Sequence, residues 1–167
     1  WHTLSLHDAL PICYTMGRAA YQAIVKFLSH YGDNGVPLNL LPETPTHLRV
    51  QNIGDGSVRV AWNNPGGGGA GGDAPTGYVV YRSSNGYGFG NPVTVSGGSN
   101  THVDISGLTE GETYYFRVAA TNAGGESMPS ETLGARVKTG SSSPVLVVNG
   151  YDRLDRWILP KRYIGYD

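Results

Sequence analysis

Seven consecutive residues, Gly66-Gly67-Gly68-Gly69-Ala70-Gly71-Gly72, have the composition of a loop that wraps phosphate. Backbone amides cradle a phosphate when such a loop leads from a strand into a helix, usually with a Lys and a hydroxyl nearby. Here Asp73-Ala74-Pro75 follows, and then another strand pattern. The run fits better a long, mobile connection between strands, which costs little extra entropy as it lengthens.

Five histidines raise the question of zinc. His30, His47 and His102 have no partner at helical i, i+4 spacing and no Cys nearby, so they read as surface or half-buried side chains. Asp152 and Asp155 come just after Val145-Leu146-Val147-Val148. α/β enzymes place active groups after a buried strand in this way. With Arg153 and Arg156 interspersed, a salt-bridged loop is the plainer reading. Ser83-Ser84-Asn85-Gly86-Tyr87-Gly88-Phe89-Gly90 sets two aromatics among glycines. Tyr87 and Phe89 could stack on sugar rings, or fold back over the open end of a β-sandwich. None of these groups forms a catalytic constellation. The expectation is a chain that is not itself an enzyme, with no cofactor and no metal.

The elements that hold these residues follow from periodicity. Ala20, Ile24, Phe27, Leu28 and Tyr31 recur at helical spacing, which predicts a helix over Gly17–Tyr31 inside a segment 14–33. Gly32 stands where a left-handed C-cap would be. Such a stripe needs a surface to cover it. Residues 34–45, with Asn34-Gly35, Pro37, Pro42 and Pro45, form a linker. Leu38, Leu40 and Leu41 are too apolar for a free tether and should lie on a neighbouring surface.

Residues 46–139 read as a seven-strand all-β sandwich. The strands are expected near 47–51, 57–63, 77–83, 92–95, 101–105, 113–122 and 133–138. Inward positions are Leu48, Val50, Val58, Val60, Trp62, Tyr78, Val80, Val103, Ile105, Leu108, Tyr114, Phe116, Val118, Leu133, Ala135 and Val137. A domain of this size folds without disulfides, with a stability of about 5–10 kcal/mol. Trp62 should carry a large share of the core. Residues 140–144 form a Gly/Ser joint. Residues 145–167 open with a strand buried on both faces, the start of a truncated α/β domain.

Charged residues make up 15% of the 167, and the net charge is −1. Neither nucleic acid nor an anionic membrane is an expected partner, since both need a basic face. No apolar run is long enough to span a membrane. Leu6-His-Asp-Ala-Leu-Pro-Ile12 decodes as CTA-CAC-GAC-GCT-CTT-CCG-ATC, which looks like a sequencing adaptor. Residues 1–13 are therefore expected to be an assembly scar. That removes His2, His7, Asp8 and Cys13 from consideration as ligands or nucleophile. The abrupt stop at Asp167 fits a fragment of a longer protein.

The framework Trp62 with Pro65, Gly77-Tyr78-x-Val80-Tyr81-Arg82, and Leu108-x-x-Gly111-x-x-Tyr114-x-Phe116-x-Val118-x-Ala120-x-Asn122 resembles a fibronectin type III module. That resemblance implies a spacer or adhesive sandwich. It also implies that Tyr114 is the tyrosine-corner residue, bonded to backbone in the preceding loop. The Arg-Gly-Asp adhesion motif of some such modules is missing from Ala123-Gly124-Gly125-Glu126-Ser127.

The flanks resemble two further families. Arg18 to Phe27, with Leu41-Pro42-Glu43-x-Pro45, looks like the last helix and exit linker of bacterial zinc-dependent N-acetylmuramoyl-L-alanine amidases. Val145 to Arg156 looks like the start of golvesin-like and xanthan-lyase-like domains. Together these imply a fragment of a secreted or cell-envelope bacterial hydrolase. Its partners would be the neighbouring domains of the same polypeptide and cell-wall or extracellular glycan. None of the amidase ligand motifs is present, so no catalytic residue is carried over.

Overall fold

The computed structural model describes residues 6–32, 35–68 and 71–138, and of residues 6–12 the backbone only. The readings placed on residues 139–167, including the buried strand, Asp152 and Asp155, lie outside the described residues. A helix and a β-sandwich form separate units, the second beginning at Asn39.

Helix α1 runs from Leu6 to Tyr31, so it starts well before the expected Gly17. The early segment was set aside on codon grounds, and only Pro11 within it opposes a helix. That proline removes one amide, the one that would bond the His7 carbonyl. Ile24, Phe27, Leu28 and Tyr31 are exposed on α1. Gly32 does not adopt the left-handed C-cap backbone. Its amide continues the helix pattern to the Leu28 carbonyl at 2.9 Å, and a β-carbon there would overlap that oxygen.

The sandwich holds β1 (Thr46–Gly54), β2 (Ser57–Asn63), β3 (Gly77–Ser83), β4 (Gly90–Ser96), β5 (His102–Ile105), β6 (Thr113–Asn122), β7 (Gly125–Glu126) and β8 (Leu133–Arg136). One sheet has the order β1-β2-β5. The other has the order β4-β3-β6-β7, with β8 also paired to β6. All the named pairs are antiparallel. The β1–β2 hairpin turns through Asp55 and Gly56, both at positive φ, which matches the right-handed twist of the strands it joins.

Alternation places one face of each strand inside. Leu48, Val58, Val60, Trp62, Tyr78, Val80, Ile105, Leu108, Phe116, Val118, Ala120 and Val137 form the buried core. Val50, Val93, Val95, Val103, Tyr114, Leu133 and Ala135 pack against it. Val93 and Val95 of β4 and Ala120 of β6 extend the expected set.

Strand β7 and the chain after it are finer than the expected simple loop and strand. Ser127 and Ser130 are buried, and each replaces a missing ladder partner. The Ala120 amide donates to Ser127 Oγ at 2.9 Å, and the Val118 amide donates to Ser130 Oγ at 3.0 Å. In return the Ser127 and Ser130 amides bond the Ala120 and Val118 carbonyls. Strand β8 stops at Arg136 because Val137 turns to the β6 corner, bonding the Glu112 carbonyl and the Gly111 amide.

Candidate functional site

The loop between β3 and β4 is built around two side chains. Ser83 Oγ accepts from the amides of Asn85 and Gly86 at 3.2 and 2.9 Å. Asn85 Oδ1 accepts from the amides of Tyr87 and Gly88 at 2.9 and 3.0 Å. Short polar side chains form such turns by bonding backbone two or three residues on. The result holds Tyr87 outward, 94% exposed, on an ordered support.

Phe89 takes a different course. It makes no ring contact with Tyr87, and it packs on an arginine of the sheet instead of folding back over the end of the sandwich. The guanidinium of Arg117, on the outer face of β6, lies 4.1 Å from the Phe89 ring centroid. The same group lies 5.5 Å from the ring of Tyr81, its direct neighbour across the β3–β6 ladder. A guanidinium stacks favourably on an aromatic face. The Tyr81 hydroxyl in turn donates to Glu126 Oε2 at 2.8 Å, and that bond raises the hydroxyl's pKa. Phe89, Arg117, Tyr81 and Glu126 thus form a ladder across the outer face of the sheet. Arg117 Nε is buried without an acceptor, and the guanidinium makes no hydrogen bond to any described residue.

The core residues named from the sequence have no solvent-facing role. Trp62, Tyr78, Phe116 and Val118 are at most 1% exposed, and Leu108 is buried. Tyr78 donates its hydroxyl to the Gly98 carbonyl at 2.7 Å. Tyr114 is half-buried, and its hydroxyl accepts from the Thr109 amide at 3.2 Å. The bonding to Thr109 holds the Tyr114 hydroxyl below the usual tyrosine range.

The glycine run is tied down within its described part. The Gly68 amide bonds the Gly72 carbonyl at 2.8 Å, and the Gly71 amide bonds the Gly68 carbonyl at 3.1 Å. Just beyond, Asp73 Oδ2 accepts from the Leu40 amide at 2.7 Å. On the other side Asn122 Nδ2 donates to the Leu40 carbonyl at 2.8 Å. Leu40, Pro42 and Pro45 are buried. The segment 39–45 is therefore a strap held between the glycine loop and the β6–β7 turn. Of the leucines expected on a surface, Leu40 is buried and Leu41 half-buried, whereas Leu38 is exposed.

Between β4 and β5 a shallow groove is lined by Arg82, Asn91, Val93, Asp104, Ile105 and Ser106. Its carboxylate is engaged, since Asp104 accepts two bonds from the Arg59 guanidinium at 2.7 Å each. Among the described residues no three His, Cys, Asp or Glu side chains gather to hold a metal. No helix among them is long and apolar enough to cross a membrane.

Tyr87 was readable from its glycine neighbours. Arg117 and Asp73 were not singled out, and Asn122 was named only as part of the framework, because their contacts arise from cross-strand register and loop docking.

Comparison with known proteins places this geometry. The family model described as Fibronectin type III domain matches residues 43–136. Chitinase Chi52 of Paenibacillus xylanexedens is 34% identical over 118 residues, covering 68% of this chain and 20% of that protein. Chitinase D of Niallia circulans is 37% identical over 97 residues, covering 55% and 16%. The chain spans 20% or less of the curated relatives it matches. Among solved structures, domains A168-A170 from titin superpose with a TM-score of 0.50 at 26% identity, covering 59% of this chain and 32% of that one. The fn3 domain of human collagen alpha-1(XX) chain does so at 0.50 and 21% identity, covering 62% and 92%, a likeness of fold alone.

Proposed function

Because the chain belongs to the fibronectin type III family, we propose that it is a non-catalytic spacer and docking module of a secreted, multidomain bacterial hydrolase acting on a cell-envelope or extracellular glycan. The observation that carries this reading is the strap. Leu40 is bonded through both its amide and its carbonyl, to Asp73 and Asn122, so the chain ahead of the sandwich leaves from a fixed point. A module that holds its leading segment sets the position of whatever is attached. The chitinase relatives support a glycan-hydrolase setting. The likeness of Arg18–Phe27 to the amidase helix narrows the proposal to a peptidoglycan amidase.

The test is a long read through the locus on both sides of the codons for Tyr14 and Asp167, followed by assay of the upstream domain. An upstream frame encoding the His and Glu ligands of a zinc amidase is the expected result. Deleting residues 46–139 should then lower turnover of insoluble cell wall and leave turnover of soluble muropeptides unchanged. Turnover of muropeptides by the present chain alone would overturn the non-catalytic reading.

A second reading rests on Tyr87. An exposed ring on an Asn85-ordered turn loses little entropy on contact, so it suits stacking on a sugar. A polysaccharide pull-down that retains the chain, but not its Tyr87→Ala variant, is the expected outcome for a glycan-binding module.

A further inference from the structure

We infer that the outer face of the β4-β3-β6 sheet binds a glycan carrying carboxylate groups, with Arg117 as the carboxylate fork and Tyr87 as the stacking ring. This rests on the reading of Tyr87 as a glycan contact and names the chemistry that contact would select.

A guanidinium carries five N–H donors in its plane. In Arg117 the plane lies over Phe89 and beside Tyr81, at 4.1 and 5.5 Å from their centroids. The stack fixes the side chain, yet none of its donors reaches an acceptor among the described residues. Nε is sealed from solvent, whereas the terminal nitrogens are not among the buried unpartnered atoms. A planar, charged fork with unused donors is matched by a carboxylate, which accepts two parallel bonds. Because aromatic stacking has already restricted the side chain, little rotamer entropy remains to be lost on binding.

Charge on this face is arranged to leave Arg117 available. Glu126 is engaged with the Tyr81 hydroxyl. The other guanidinium nearby in sequence, Arg82, lies 5.6 Å from the ring of Tyr114. Tyr87 and Phe89 are two residues apart, which keeps their Cα atoms within about 7 Å. The exposed ring and the ring that carries the guanidinium thus come from one short segment, so a sugar chain with an acidic neighbouring unit can reach both. A protein partner is less well matched. A stable protein interface buries about 800 Å² per partner around an apolar centre. Around Tyr87 the loop offers Ser84, Asn85, Gly86 and Gly88, and its other ring, Phe89, is stacked on Arg117.

Affinity electrophoresis of the full chain through polygalacturonate, and separately against soluble chitin oligomers, tests the inference. Arg117→Gln removes the charge and Arg117→Lys keeps it without the fork. Thermal melts of each variant confirm folding. The expected result is retardation by polygalacturonate that falls about tenfold or more in both Arg117 variants. It should also fall in Tyr87→Ala and weaken in high salt. Equal binding of neutral and acidic chains, unaffected by the Arg117 variants, overturns the carboxylate fork but leaves the Tyr87 reading standing. Retardation by neither polymer overturns both. Polygalacturonate binding that Tyr87→Ala leaves intact, and that a poly-glutamate peptide competes equally, would show an anion fork with no glycan selectivity and overturn the ligand class.

Discussion

Trp62 and Tyr78 meet across the two sheets, with ring centroids 5.0 Å apart and planes inclined at 60°. Both rings are at most 1% exposed. This edge contact is the centre of the sandwich, because β2 and β3 belong to different sheets and each ring covers the gap between them. Trp62→Ala should therefore cost about 3–5 kcal/mol, a large part of a domain stability of about 5–10 kcal/mol. Trp62→Phe should cost clearly less. It keeps the aromatic edge and removes an indole Nε1 that is buried without an acceptor. Urea titration followed by far-UV circular dichroism ranks the two; equal losses would refute the account.

Ser130 is a backbone substitute as much as a side chain. Its hydroxyl is the acceptor for the Val118 amide, in a part of β6 that is fully enclosed. Ser130→Ala leaves that amide unpaired and should cost about 1–3 kcal/mol. Hydrogen exchange at the Val118 amide should rise with it. Unchanged stability would mean that another acceptor fills the place.

The Arg59–Asp104 pair, exposed on both sides, should show as a pH effect. The Arg59 hydrogen bond holds the Asp104 carboxyl below its ordinary range. A folded value lower than the unfolded one, near 3.9, gives stabilisation that is complete above about pH 4 and is lost as pH falls through the folded value. The melting temperature of the wild type should exceed that of Asp104→Asn at pH 7, and the gap should narrow as the pH is taken below the ordinary carboxylate range. Salt should narrow the gap at neutral pH, because the pair is open to solvent.

Gly72 controls the strap. Its φ is +125°, and a β-carbon there would overlap the Leu41 carbonyl oxygen. Gly72→Ala should displace residues 39–45 while the sandwich core remains folded. Limited proteolysis should then cut within that segment at least several-fold faster, as expected for backbone freed from its bonds. Asn122→Ala, which removes only the bond to the Leu40 carbonyl, should give a smaller increase.

Alternation made the sandwich legible. The β2 pattern Val58, Val60, Trp62 and the β6 pattern Phe116, Val118 declare their buried face through side-chain type alone. Tyr114 was legible through the family resemblance, which implied a bond to backbone in the preceding loop, and that backbone group is the Thr109 amide. What stayed hidden depended on distant register. Arg117 looks like any wet-face residue until β3 sets Tyr81 beside it and the β3–β4 loop returns Phe89 over it. The anchoring of Asp73, just after the glycine run, stayed hidden because its partner Leu40 lies 33 residues away. The serine pair after β7 replaces carbonyls with hydroxyls, and no periodicity signals that.

Docking of the strap also shortens a leash. If Leu40 to Pro45 were free, those six residues would add up to about 20 Å of reach to the chain ahead of the sandwich. With Leu40 fastened, that length is withdrawn from the tether. A partner tethered at that point searches a smaller volume, so its local concentration near the sandwich surface is higher. One aspartate and one asparagine thereby set the length of the tether.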